Sequence, residues 1–96
     1  MRIQAIVWLP DVIEKLDVKH SVTVEEVEEL FQSGAHFRRG PIGNQPGEHL
    51  YNAYGQTYAG RYLFVVFIYK RNRKALILSA RDMTDSEQRL YRRVSK

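Results

Sequence analysis

At 96 residues and 44% hydrophobic content, the chain is expected to form one domain over residues 1–96, because dividing it would leave two cores too small to be stable. It has no cysteine, which excludes disulfides, thiolate metal sites and a cysteine nucleophile; the fold must rest on apolar packing, as suits a cytoplasmic protein. The net charge of +4 conceals a division, with three basic and seven acidic side chains in residues 1–30 (−4) against twelve and four in residues 31–96 (+8), so the basic part either gathers polyanions such as nucleic acid or serves solubility.

The first residues show no basic-then-apolar leader, and the longest apolar run, Tyr62 to Tyr69, is far shorter than the ~20 residues of a membrane helix. Arg2 to Trp8 reads as an apolar strand. Pro10 suits the first turn of a short helix whose apolar face is Val12, Ile13 and Leu16. Thr23-Val-Glu-Glu26 has the spacing of a capping box, so a second helix begins there, with Val24, Val27, Leu30 and Phe31 at helical intervals and Glu25, Glu28 and Glu29 on the solvated side. Ser33-Gly34 ends it.

Ala35 to Arg39 reads as a short edge strand, and the Gly- and Pro-rich stretch Gly40 to Gly47 as a mobile loop. His49 to Tyr58 alternates loosely, and Ala59-Gly60 offers a tight turn. Tyr62 to Tyr69 is apolar throughout, as expected of a central strand covered on both faces. A charged turn at Lys70 to Lys74 leads into Ala75 to Ala80, another buried strand. A second capping box, Thr84-Asp-Ser-Glu87, opens a last helix with Leu90 and Val94 on one side. The expected fold class is therefore α+β: an N-terminal strand, two helices, an antiparallel meander of three to four strands and a C-terminal helix.

Three segments carry a resemblance to a known family. Lys19-His20-Ser21-Val22-Thr23 followed by Glu25-Glu26 resembles the KHGV[ST]xEE signature of BrnT-type toxins. Gly55-Gln-Thr-Tyr-Ala-Gly-Arg61 resembles their central hairpin, and Ser79-Ala-Arg81 with Met83-Thr84, Glu87 and Tyr91 resembles their closing segment, in the same order and spacing from Val7-Trp8 to Arg93. The resemblance implies a RelE/ParE-like fold and a toxin of a type II toxin-antitoxin system, an endoribonuclease that inhibits translation and pairs with a ribbon-helix-helix antitoxin in a hetero-oligomer. Leu9, Leu16 and Ser21 depart from the family pattern, standing where Asp, Asn and Gly are usual.

RNA cleavage without a metal requires a base for the ribose 2′-hydroxyl, cations at the phosphate and an acid for the leaving oxygen. His20 and Lys19 precede a helix N-terminus, where an anion is welcome; the plainer reading is that His20 closes the turn between helices. Arg61 opens the central strand and Arg81 closes the last, so both can lie at one end of the sheet and hold a phosphate, or instead bridge to Asp82 or Glu87. Tyr91 joins Lys19, His20, Arg61 and Arg81 as a catalytic candidate. Tyr54 and Tyr58 can stack on unpaired bases, and Arg71, Arg73 and Lys74 can track phosphates alongside Lys70. Glu48-His49 reads either as an acid-base pair at the start of a strand or, more plainly, as a solvated loop end. No nucleotide loop, nucleophile elbow or spaced metal set is present in the sequence, so neither cofactor nor metal is expected. Competing readings are a non-catalytic basic module that binds RNA or an acidic protein, and a gyrase-directed toxin.

Overall fold

The computed structural model describes residues 1–40 and 48–95. Most of the Gly- and Pro-rich loop, residues 41–47, lies outside the described residues. Among the described residues the chain runs β1 (Ala5–Val7), α1 (Pro10–His20), α2 (Val24–Gln32), β2 (His36–Arg39), β3 (His49–Gln56), β4 (Tyr62–Tyr69), β5 (Lys74–Asp82) and α3 (Asp85–Val94). The architecture is α+β, as the sequence pattern indicates. Strands β2 to β5 form the antiparallel meander, and β1 is added beside β5 in parallel, giving the order β1-β5-β4-β3-β2. That parallel pairing joins the first strand to the start of the last, and Tyr69 Oη reinforces it by donating to the Arg2 carbonyl at 2.6 Å.

Local chemistry sets the helix ends. Both capping boxes form: the hydroxyls of Thr23 and Thr84 accept from the backbone N–H of Glu26 and Glu87, and the two carboxylates accept from the threonine N–H groups. α1 differs, because Leu9 at its N-cap has no side chain that accepts a hydrogen bond, and its start depends on Pro10. The helix stops at Ser21, held in the left-handed region at φ 52° with its N–H bonded back to Asp17. Glycine is favoured there because it has no Cβ to clash.

Alternation along the strands divides the sheet into two unlike faces. One face carries Ala53, Leu63, Val65, Phe67, Ala75, Ile77 and Ala80, all fully buried beneath Leu16 of α1, Val22, and Val27 and Leu30 of α2. Burial of the leucine, valine, isoleucine and phenylalanine side chains among these contributes roughly 1.5–3 kcal/mol each. The packing leaves no slack at Gly55, where a Cβ would stand 2.7 Å from Leu30 Cγ. The other face is not covered as the apolar run in β4 suggests. Tyr62, Phe64, Val66 and Ile68 are only half-buried, because α3 crosses that face at one end alone, with Tyr91 packed edge-on to Tyr62 at 6.0 Å.

The charge division in the sequence follows the same partition. The acidic side chains of residues 1–30 sit mainly on α1 and α2. By alternation, Arg38, Lys70, Lys74 and Arg81 belong to the open face. Among the described residues no helix is long and apolar enough to cross a membrane.

Candidate nucleic-acid interface

Arg61 and Arg81 lie at the same end of the sheet, but on opposite faces. The register pairs Leu63 with Asp82 and Phe64 with Arg81, so Asp82 points to the helix-covered side and Arg81 to the open side. Arg61 turns towards Asp82. Its Nε donates to Asp82 Oδ1 at 2.7 Å and its Nη2 to Asp82 Oδ2 at 3.2 Å and to the His20 carbonyl at 2.9 Å. Its Nη1 donates to the Ser21 carbonyl at 2.8 Å and to Glu26 at 3.2 Å. A guanidinium has five N–H donors, and here every one is engaged.

Arg61 therefore ties the α1–α2 turn, the α2 capping box and the end of β5 into one unit. The two engaged carboxylates, Asp82 first, keep Arg61 protonated, and its hydrogen bond holds the Asp82 carboxyl below its ordinary range. His20, half-buried at the end of α1, is held here through its backbone carbonyl. Lys19 is exposed on the last turn of α1.

Arg81 is arranged differently. Its Nη1 donates to Glu87 Oε1 at 2.7 Å and to the Asp82 carbonyl at 3.0 Å, and its Nη2 donates to Glu87 Oε2 at 2.9 Å. This two-point contact lowers the Glu87 carboxyl and raises Arg81, which stays charged. Among the described residues, Nε–H and the second Nη2–H have no acceptor. Those two donors lie along one edge of the guanidinium, the spacing that receives a phosphate bidentately. The plane rests on the Phe64 ring at 4.3 Å, and the side chain is 37% exposed.

Aromatic groups extend from this arginine across the open face. Phe64 meets Tyr54 edge-on at 5.2 Å, and Tyr54 meets His36 at 6.1 Å, so one row of side chains crosses β5, β4, β3 and β2. Tyr91 stands one turn beyond Glu87 on the same side of α3, which brings it to the rim. Sequence reading passed over His36 and Phe64. The signal for His36 was its place two residues before Arg38 in an edge strand, which puts both on one face.

The remaining candidates are dispersed. Tyr58 is 67% exposed and turns towards α2, where its hydroxyl bonds Gln32 at 2.6 Å. Arg71 and Arg73 occupy the β4–β5 turn and Lys74 opens β5, at the far end of the sheet, about 20 Å from Arg81 by the six-residue span from Phe64 to Lys70 opposite, at 3.4 Å per strand residue. Glu48 and His49 separate: Glu48 pairs with Lys70 at 2.9 Å and His49 Nδ1 contacts Arg39 at 2.7 Å. Among the described residues no group of three or more His, Cys, Asp or Glu side chains is placed to hold a metal ion.

Comparison with curated proteins finds no match. A family model described as the ribonuclease toxin BrnT of a type II toxin-antitoxin system matches residues 10–87. That span takes in the α1–α2 turn bound by Arg61, the central hairpin and the Arg81–Glu87 pair, so three separate stretches of the signature meet at one end of the sheet. The chain belongs to the BrnT family of type II toxin-antitoxin ribonuclease toxins.

Proposed function

We propose that the open face is where RNA is cut, with Arg81 holding the scissile phosphate through its free Nε–Nη2 edge. That unused pair of donors, on a guanidinium fixed by Glu87 and Phe64, is the observation that carries the reading. A cation already oriented by a carboxylate and a ring loses little freedom on binding, and its charge is available as the phosphorus becomes five-coordinate. The ribose 2′-oxygen attacks phosphorus and gives up its proton while the 5′-oxygen leaves and takes one, yielding a 2′,3′-cyclic phosphate and a 5′-hydroxyl. Tyr54 or Tyr91 serves the proton transfers beside Arg81, with His36 across the row. No step calls for a metal.

Arg61 is a positioning residue in this reading, since binding a phosphate would require it to release Asp82, Glu26 or a backbone carbonyl. Lys19 and His20 contribute through the turn that Arg61 fastens. The RNA cut is messenger RNA in the cytoplasm, so that translation stops, and a ribbon-helix-helix antitoxin neutralises the protein by binding it.

Arg81→Ala and Tyr54→Phe test the assignment against single-stranded RNA, with circular dichroism confirming the fold. Arg81→Ala should lower cleavage by 10²-fold or more, the effect of losing one preorganised charge-stabilising group. Cleavage within threefold of wild type would remove Arg81 from the site. One observation favours a binding module without catalysis: Arg61 and Arg81 are each matched by a carboxylate. RNA that binds this face and stays whole would establish that alternative.

A further inference from the structure

Building on the placement of the scissile phosphate at Arg81, we infer that the open face is a track for a single RNA strand, with a second phosphate-binding site at the β4–β5 turn. Three observations converge on it. The floor is apolar and half-exposed: Phe64, Val66 and Ile68 of β4 adjoin Leu50 of β3 and Leu76 of β5, pairing Ile68 with both Leu50 and Leu76. Such a floor attracts the faces of unpaired bases, which a duplex hides within its own stack.

Cations occur at both ends and along one side of this floor. Arg81 marks one end, and Lys74 with Arg71 and Arg73 marks the other. Arg38 stands between them on edge strand β2, paired with Asn52. Lys70 is matched by Glu48 and adds little. Among the described residues, Arg38, Arg71, Arg73 and Lys74 have no carboxylate partner, so their charge is available to a polyanion. The acidic side chains are concentrated on α1 and α2, behind the sheet.

The separation of the two ends then sets the length of strand recognised. About 20 Å between them corresponds to about six steps of 3.4 Å per stacked nucleotide, or about seven nucleotides counting both ends, and to fewer where the strand is stretched. Arg73 is held in the left-handed region at φ 61°, which fixes the turn that presents these side chains.

Fluorescence anisotropy with labelled 2′-O-methyl oligonucleotides, which lack the attacking hydroxyl, separates binding from cutting. Affinity should rise with length from three to about seven nucleotides and then level off, and a duplex of equal length should bind at least tenfold more weakly. In Arg71→Gln/Lys74→Gln, checked for fold by circular dichroism, the slope of log K against log salt should become shallower by about 1.4, at roughly 0.7 per lost phosphate contact. Affinity independent of length, equal binding of duplex, or an unchanged slope would each overturn the track. Failure of the cleavage reading looks different: the length and salt dependence would stand while ordinary RNA of the same sequence stayed intact.

Discussion

Replacing Arg61 with alanine should destabilise the protein severely, and the size of the effect follows from its contacts. The substitution strands the His20 and Ser21 carbonyls, removes one partner of Glu26, which keeps its capping-box bond from Thr23, and frees Asp82. Each half-buried hydrogen bond is worth about 1 kcal/mol net. Asp82 is largely exposed, so its ion pair adds at most about 1 kcal/mol after solvent screening. The total is about 3 kcal/mol, which for a domain this small lowers Tm by roughly 12–24 °C.

Urea unfolding followed by circular dichroism at pH 7 measures that loss, with an unchanged m-value showing that both proteins unfold from equally compact states. Arg61→Lys should recover less than half of it, because an ammonium keeps the charge and cannot span four acceptors arranged around a planar fork. A loss below about 0.5 kcal/mol for Arg61→Ala would refute the view that this residue is committed to the fold, since that is the scale of an ordinary surface substitution.

Three further outcomes follow from particular contacts. Gly55→Ala drives a Cβ to within 2.7 Å of Leu30 Cγ in the buried core and should cost about 1–3 kcal/mol; a neutral thermal melt would show that α2 shifts freely. Ser21→Gly relieves the left-handed backbone at φ 52° and should stabilise the protein by up to about 1 kcal/mol, offset by greater freedom in the unfolded chain; a lower Tm would contradict it. Asp82 and Glu87 both ionise more readily in the folded protein than when unfolded, chiefly through Arg61 and Arg81, so their stabilisation is present above the unfolded values near about 4 and is lost as pH falls through the lower folded values. Chemical denaturation from pH 2 to 7 should show stability falling at the acid end, less steeply in Asp82→Asn, and an identical profile for both proteins would remove that pair from the cause.

Features fixed by local chemistry were the ones legible in sequence. Thr23 with Glu26 and Thr84 with Glu87 announce their helices within four residues, and the turns at Ala59-Gly60 and Lys70–Lys74 divide the meander without reference to the rest of the chain. The parallel pairing of β1 with β5 joins residues about seventy apart, and no local signal specifies such a contact. The exposure of β4 was hidden because Phe64 and Val66 look no different from Leu63 and Val65 in a row, although only the second pair is fully buried.

Register decided the site. Placing Arg61 and Arg81 at one end required only the order of the strands, whereas their separation onto two faces depends on Leu63 lying opposite Asp82, and a slip of one residue would reverse it. The alignment of His36 with Tyr54 likewise depends on how an edge strand pairs across the loop. Of the departures from the family pattern, Leu16 has a plain structural role in the core, and Ser21 still makes the turn that Arg61 secures.

The most direct measurement is to incubate the purified protein with a defined single-stranded RNA in excess chelator and to identify the product ends by mass spectrometry. The expected result is discrete fragments ending in 2′,3′-cyclic phosphate, formed by wild type and absent or at least 10²-fold slower with a folded Arg81→Ala variant. Fragments formed equally well by both proteins, or only when a divalent metal is restored, would contradict cleavage at an Arg81-held phosphate on the open face.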